Sequence, residues 1–351
     1  MKNVRAVYKL TVLFLFMFPP LAGSQPVSGT SKLHLRKELP EKVHTVELNI
    51  NYARIFVEQA PSRTVELRIM PELKAPAQTV QKIMENFVLE HRMHDNVLEI
   101  DARFKNDEIF GGRSQKRNIS LMVQLRVPEG TNLRINGNFL RLHVPELDGN
   151  LDYHGNYGRL EGGYLKGAEN RMDGNYFDCR VKYARGMDLR LNYSDIITDV
   201  SFRTLLQGNN SKLQVKRVKN LYVSGNFLQI KSDRIYRLKG QGNYFDLHVK
   251  RIYIFKFSGN FNTYLVEELP RNFHLIELRG TYDETEIHNP LRTPYRFKII
   301  LKAGTLESTD LVFTKKKIKT FSAEYEGYFA DPNAQARILI DQSFSTVTIQ
   351  N

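Results

Sequence analysis

The sequence is poor in cysteine and tryptophan and contains no long apolar segment. Its one cysteine, Cys179, excludes an internal disulfide, and tryptophan is absent. The longest apolar stretch, residues 10–18, is shorter than the roughly 20 residues that cross a bilayer as a helix. No nucleophile elbow, phosphate-binding loop or paired-cysteine motif occurs. The sequence therefore offers no disulfide framework and none of these signatures of hydrolases and nucleotide-binding proteins.

The first residues have the pattern of a secretory signal peptide. Lys2, Arg5 and Lys9 precede the apolar segment 10–18, and the small residues 22–24 follow it. We therefore expect residues 1–24 to be removed and the mature chain to be exported to the periplasm, the cell surface or the medium, with no transmembrane segment. The formal charge of +13 and the pI near 9.6 favour anionic partners. Export argues against nucleic acid among them.

A Gly-Asn-aromatic step recurs through residues 136–269. The recurring asparagines are separated by 18, then 19, and then five times by 17 residues. They are Asn138, Asn156, Asn175, Asn192, Asn209, Asn226, Asn243 and Asn260. A fixed period near 20 is typical of units that bury their apolar faces only by stacking on one another. We call one such unit a rung.

Within each rung, the fourth and sixth residues after the asparagine are mostly apolar, whereas the third is polar. This alternation predicts strands with one buried face, and a second apolar run follows in each period. Cys179 occupies the fourth position and is expected in the core. Two strands in about 17 residues leave no room for a helix, so the pattern predicts an all-β fold of the β-helix (β-solenoid) type.

The asparagines are expected to form a structural ladder along the axis of this fold. Glycine precedes seven of the eight, with Leu191 as the exception. Because glycine and asparagine most readily adopt left-handed backbone angles, both are expected to adopt them at a sharp corner.

The rest of the chain divides around this repeat. We expect a linker at 25–42, N-terminal rungs at 43–135, regular rungs at 136–269, and C-terminal rungs with a cap at 270–351. Apolar residues at Val80, Ile83, Met84 and Phe87 predict one short amphipathic helix from about residue 77 to residue 86. Residues 105–116 are expected to form an exposed loop.

Three segments resemble the putative-adhesin domain of bacterial cell-envelope proteins. They are Asn96–Ile100, Leu121–Leu133 and Ala336–Ile349, the last resembling the closing rung of that family. The resemblance implies a β-helix in a protein of the envelope; most members of the family have no assigned biochemical function. This chain has Ser345 where the family usually has glycine, and Gly-Asn-aromatic where members commonly have Gly-Asp.

An aromatic residue follows almost every asparagine of the repeat. Strict alternation places this column outward, where it would form a flat strip suited to stacking on sugar rings. A left-handed corner can reverse that parity, and the interior ladder is the favoured interpretation. The column contains Phe139, Tyr157, Tyr176, Tyr193, Phe227, Tyr244 and Phe261.

A basic column lies at the turn between the two strands of a rung. Arg217, Arg234 and Arg251 each follow an asparagine by eight residues, and Lys216 and Lys250 adjoin them. Stacked like charges repel unless an anion offsets them, so we expect a polyanion here. The candidate ligand residues are these five cations together with Tyr157, Tyr176, Tyr193 and Tyr244.

Two functions remain open. The first is an exported, non-catalytic, adhesin-like or envelope-associated binding module for an acidic polysaccharide or lipopolysaccharide. The second is a carbohydrate-active β-helix enzyme, a lyase or hydrolase, which needs convergent carboxylates or basic residues. Asp178, Asp195 and Asp246 share the outward third position but do not all occupy neighbouring rungs. We expect no catalytic residues, cofactor or metal, and interpret His91 and His94 as part of a surface turn.

Overall fold

The computed structural model describes residues 33–41, 43–72, 77–105 and 120–351. The expected signal peptide at 1–24 and most of the expected loop at 105–116 lie outside these residues. The described chain consists of strands joined in one sheet, with the short α-helix α1 (Ala77–Glu85) between the fourth and fifth strands. The all-β class is therefore confirmed. The expected linker at 25–42 contains the first strand.

The strands before the long repeats are β1 (Leu33–Glu38), β2 (Thr45–Ile50), β3 (Ala53–Ala60), β4 (Thr64–Glu72), β5 (Phe87–His94), β6 (Val97–Phe104), β7 (Ser120–Pro128), β8 (Asn132–Asn136), β9 (Arg141–Leu147), β10 (Leu151–His154), β11 (Arg159–Leu165) and β12 (Asn170–Asn175). The long strands are β13 (Asp178–Asn192), β14 (Asp195–Gln207), β15 (Lys212–Ser224), β16 (Gln229–Gln241) and β17 (Asp246–Asn260). The remainder are β18 (Thr263–Glu268), β19 (Leu275–Thr281), β20 (Glu284–His288), β21 (Tyr295–Lys302), β22 (Thr305–Ser308), β23 (Val312–Lys319), β24 (Ser322–Phe329), β25 (Arg337–Ser343) and β26 (Thr346–Gln350).

The long strands stack in parallel and in register. β14 pairs with β15 from Asp195↔Lys212 to Gln207↔Ser224, and β15 and β16 continue at the same offset of 17 residues. Parallel neighbours lie about 4.8 Å apart, so equivalent side chains of successive rungs form columns. The columns predicted from the period are therefore present.

Each long strand contributes to two stacks. In one stack, the first halves of the long strands lie between β3, β9 and β11 on one side and β18, β20 and β26 on the other. In the other stack, their second halves lie between β2, β8, β10 and β12 on one side and β19, β25 and β21 on the other. Alternate side chains of both stacks are buried in a single hydrophobic cluster.

The fourth position of the repeat forms a continuous buried column. All eight of its residues are at most 2 % exposed, namely Leu142, Leu160, Cys179, Ile196, Leu213, Ile230, Leu247 and Tyr264. The third position, by contrast, is exposed or half-buried throughout. Cys179 is fully buried, as expected, and burial raises the pKa of its thiol to about 12. The thiol is thus held in its neutral, unreactive form.

The corner of the rung differs from the prediction. Left-handed angles occur at the aromatic residue after the asparagine, with φ between 53° and 59° at all seven members of the predicted column. No asparagine that anchors the repeat has a positive φ. The prediction that asparagine adopts left-handed backbone angles at the corner was therefore wrong. The glycine does adopt positive φ at several corners, for example 149° at Gly225.

Close approach between rungs explains the glycines. A Cβ built on Gly225 would lie 1.7 Å from the carbonyl oxygen of Gly208, and one on Gly242 would lie 1.8 Å from that of Gly225. No side chain fits at such distances. The glycine is therefore required by the backbone of the preceding rung, in addition to its own backbone angles.

Antiparallel strands adjoin both ends of the parallel stacks. Near the N-terminus, β4 pairs with β1 and β7, and β5 pairs with β6. Near the C-terminus, β24 lies between β21 and β23. This antiparallel pairing marks the limits of the regular repeat.

At five corners a set of buried polar residues directly follows the left-handed position, namely Ser194, Ser211, Asn262, Asp283 and Ser345. Asp283 belongs to it and is 2 % exposed. Its Oδ1 accepts a hydrogen bond from the Asn262 backbone N–H at 2.9 Å, and its Oδ2 accepts one from the Gln342 side chain at 3.1 Å. Burial outweighs these bonds and raises the pKa of the carboxyl from 3.8 to about 6.

Asp283 should make the protein less stable as the pH rises. The folded state binds this proton more tightly than the unfolded state, so its contribution is complete below pH 4 and is lost as the pH passes 6. In the wild type, we expect the free energy of unfolding to fall by roughly 2 kcal/mol between pH 4 and pH 7 because of this carboxyl. Asp283→Asn should abolish that fall. Denaturant unfolding across this range measures it. The exposed control Asp246→Asn should keep the wild-type slope, and an unchanged slope in Asp283→Asn would contradict the assignment.

Candidate functional site

The asparagines form a hydrogen-bonded ladder at one edge of the rungs. The Oδ1 of Asn209 accepts the backbone N–H of Asn226 at 2.9 Å, and the Oδ1 of Asn226 accepts that of Asn243 at 3.0 Å. The ladder starts one step before the predicted set, because Asn51 accepts the N–H of Asn138 at 2.8 Å. Its members are Asn51, Asn138, Asn156, Asn175, Asn192, Asn209, Asn226, Asn243 and Asn260.

The aromatic column beside this ladder faces solvent. Its seven predicted members are 47 to 54 % exposed, so the favoured interior position was wrong. The left-handed residue at the corner directs its side chain away from the core. The structure adds Tyr52, Tyr282 and Phe344, which share the backbone angles and continue the stack. The pair Asn51-Tyr52 carries the same signal as the repeat, far upstream of it.

The rings of this exposed aromatic column stack face to face. Neighbouring centroids are 4.6 to 5.2 Å apart, and the ring planes differ by 1 to 17°. Each interior ring thus covers the faces of its neighbours and presents its edge to water. A flat strip offering ring faces to sugars is therefore not formed. A shallow groove of about 340 Å³ runs beside Tyr157, Tyr176 and Tyr193.

The basic column lies at the other end of the strand segment, about seven residues or 20 Å of extended chain from the aromatic column. Arg217, Arg234 and Arg251 occupy equivalent positions on successive strands, and Glu268 follows them on β18. The structure therefore brings the three arginines together as predicted by their spacing.

The members of the basic column differ in their partners. Glu268 accepts two hydrogen bonds from Arg251, at 2.6 and 2.9 Å, and this raises the pKa of the guanidinium. Lys216 pairs with Asp199 at 2.8 Å. Within the described ranges, no ion pair involves Arg217, Arg234 or Lys250, all of which are exposed. Two adjacent stacked arginines therefore have unneutralised charge.

Arg217 and Arg234 line a groove that the sequence did not predict. It encloses about 510 Å³ and also contains four aromatic rings, those of Tyr183, Phe202, Tyr236 and Tyr253. The Lys219 ammonium lies 4.5 Å from the centre of the Phe202 ring, and the rings of Tyr236 and Tyr253 are 5.4 Å apart. We call this the basic-aromatic groove. Of the residues that the structure describes, no carboxylate or histidine lines it.

The carboxylates of the third position do not converge on a groove with the basic column. Asp178 binds Arg159 at 2.8 Å, Asp195 lies opposite Lys212, and Asp246 lies between Gln229 and Thr263. In the part of the chain that the structure describes, no three histidine, cysteine or carboxylate side chains form a metal-binding group. No helix in those ranges has both the length and the apolar character to cross a membrane.

Comparisons with known proteins give weak matches. No family model and no curated protein matches the chain. Among solved structures, a putative cell adhesion protein from Clostridium sporogenes is 10 % identical, covering 91 % of this chain and 99 % of its own, with a TM-score of 0.23. A putative adhesin from Bacteroides fragilis is 9 % identical, covering 93 % and 100 %, with a TM-score of 0.28. A putative lipid binding protein from Parabacteroides distasonis is 8 % identical, covering 91 % and 97 %, with a TM-score of 0.29.

The descriptions of the first two structures agree with the resemblance found in the sequence. A likeness at these identities and scores identifies neither a ligand nor an activity.

Proposed function

We propose that this chain is an exported, non-catalytic binding module, built as a β-solenoid, whose basic-aromatic groove takes an acidic glycan. One observation carries the proposal. Arg217 and Arg234 are stacked one rung apart with no carboxylate partner among the described residues, beside four aromatic rings in one groove.

The charge of the groove favours an anion. Two guanidinium groups on neighbouring strands repel one another, and a bound carboxylate, sulfate or phosphate relieves that repulsion while accepting their hydrogen bonds. Arg251, one rung further on, shows the same relief supplied from within the chain by Glu268. An external anion at Arg217 and Arg234 would take the place that Glu268 takes at Arg251.

The aromatic lining favours a sugar as the carrier of that anion. Phe202 and Tyr236 are 49 % and 39 % exposed, which is high for such large rings. Apolar ring surface beside a few directed polar groups is the usual composition of a small-ligand site. The apolar face of a sugar ring packs on such surfaces while its acidic group reaches the arginines. An open-sided groove also suits a chain that extends beyond it.

Neutralising the two arginines should weaken binding of an acidic oligosaccharide. For Arg217→Ala/Arg234→Ala we expect at least a tenfold loss of affinity for oligogalacturonate, since each charge-assisted hydrogen bond contributes about 1.5 kcal/mol or more. Wild-type affinity should fall as salt rises. Calorimetric titration at two salt concentrations measures both effects.

Matched controls separate this site from general basicity. Lys302→Ala/Lys319→Ala removes the same charge from two exposed lysines elsewhere and should bind as the wild type does. Methyl-esterified oligogalacturonate keeps the sugars without the charge and should bind weakly. Lipopolysaccharide tests phosphate as the anion. If the arginine and lysine variants bound oligogalacturonate equally well, the groove would not be the binding site.

A further inference from the structure

The exposed aromatic column is interrupted at one position. Along the stack that runs from Tyr52 to Phe344, Asn210 is the one described corner residue without an aromatic ring; Ala303, with φ of 52°, follows Phe344 in the stack. The Asn210 backbone is that of the other corners, with φ of 53°, and its N–H donates to the Asn226 carbonyl at 3.1 Å, as the Tyr193 N–H does to that of Asn209. Only the ring is missing.

The interruption is one ring thick. Tyr176 and Tyr193 stack 5.2 Å apart on one side of it, and Phe227 and Tyr244 stack 4.6 Å apart on the other. Tyr193 and Phe227 belong to rungs two steps apart, a separation of roughly 10 Å along the axis. Elsewhere in the column the same separation holds one ring between two parallel neighbours. We call the space between Tyr193 and Phe227 the ring gap.

The Asn210 side chain does not close the ring gap firmly. It is exposed, and it makes no side-chain hydrogen bond within the described residues, unlike the neighbouring Asn209, which accepts the N–H of Asn226. The amide can therefore turn towards water without losing a bond. With the amide turned away, the rings of Tyr193 and Phe227 face one another across the gap, since each has a stacked neighbour on its other side only.

We propose that the ring gap binds the planar aromatic ring of a small molecule, stacked between Tyr193 and Phe227. Parallel, offset stacking is the favoured arrangement of aromatic rings, and a ligand here gains it on both faces at once. The interior rings of the column have both faces covered already, so the ring gap is the place along the regular rungs where a ring can enter. Lys212 and Asp195, two residues after Asn210 and Tyr193, can contact polar substituents of the ligand.

Indole is a suitable probe because the chain contains no tryptophan, so the indole signal belongs to the ligand alone. In equilibrium dialysis, we expect saturable binding of one indole per chain. Asn210→Tyr fills the gap with a residue that adopts the same backbone at the neighbouring corners, and should weaken binding at least tenfold. Asn210→Gly tolerates the left-handed angle, opens the gap, and should bind indole as tightly as the wild type or more tightly.

Removing one wall gives an independent test. Phe227→Ala takes away one stacking face and should weaken binding about tenfold, whereas Phe139→Ala, in the same column but remote from the gap, should have no effect. If Asn210→Tyr proves unfolded by circular dichroism, Phe227→Ala and Tyr193→Ala decide the question. Indole binding that is absent in both the wild type and Asn210→Gly, or unchanged in Asn210→Tyr or Phe227→Ala, overturns the proposal.

Discussion

Gly225→Ala is expected to lower the free energy of unfolding by about 4 kcal/mol or to prevent folding. The new Cβ would lie 1.7 Å from the Gly208 carbonyl oxygen, in a backbone conformation, φ of 149°, that other residues rarely adopt. The two rungs must separate to relieve the overlap. That movement breaks parallel hydrogen bonds and opens the core between the rungs.

Gly162→Ala is the matched control, because it adds the same methyl group to a glycine of the same fold. Its Cβ would meet a Val181 methyl at 3.1 Å and no backbone atom closer than 3.7 Å. We expect a change within about 1 kcal/mol. Urea or guanidinium unfolding measures both variants. A Gly225→Ala protein as stable as Gly162→Ala would show that the rungs adjust freely, contrary to the stacking described.

Asn170→Ala is expected to lower the free energy of unfolding by about 3 kcal/mol. This asparagine is fully buried, and its Oδ1 accepts the Leu151 N–H at 3.0 Å. Its Nδ2 donates to the carbonyl oxygens of Gly167 and Gly186, at 2.8 and 2.9 Å. Three backbone groups on three rungs therefore depend on one side chain. Removing it leaves them buried without partners, and each such group costs about 1 kcal/mol or more.

Asn226→Ala provides the comparison in the exposed ladder. Water can reach the groups that it releases, so we expect a loss of about 1 kcal/mol. Thermal unfolding of the two variants, with circular dichroism as the signal, distinguishes them. Equal losses of stability in the two variants would mean that burial does not determine how much these side-chain amides contribute to stability.

The period and the core column were accessible from the sequence because both are local. Leu213, Ile230 and Leu247 are 17 residues apart, and residues at one spacing occupy one column once the strands stack. The pairing of β3 with β9 was not accessible. It joins segments that enclose the helix and five other strands, and the one signal they share is the Asn-aromatic pair before each, Asn51-Tyr52 and Asn138-Phe139.

The direction of the aromatic column depended on one backbone angle that composition does not specify. Asparagine and the residue after it are both candidates for the left-handed position at the corner, and their choice decides which side chain faces water. Asn226 keeps ordinary angles because its amide is aligned with the ladder, which leaves Phe227 to turn. A preference table for single residues favours the opposite choice.

The sequence predicted the arginines of the basic-aromatic groove but not its aromatic rings. The spacing of Arg217 and Arg234 placed them together, whereas the rings beside them were not predicted as part of the site, although three of them follow the same period of 17 residues. Phe202, Tyr236 and Tyr253 occupy one column, with Lys219 between the first two, and Tyr183 lies in the column of the arginines, two strands before Arg217. Such a cluster appears only when columns from both sides of the turn are placed in space.

The constant offset between β14, β15 and β16 also bears on how such a chain can evolve. Among the described strands, each of these bonds to the strand before it and the strand after it and to no other. A gene duplication that adds one whole 17-residue unit leaves every surviving neighbour with an equivalent partner. A gain or loss of an odd number of residues inside a strand turns core residues outward. The rungs of 18 and 19 residues keep their register because their extra residues lie in turns, as at 166–169. Whole units are therefore the changes in length that leave both the strands and the turns of this region unaltered.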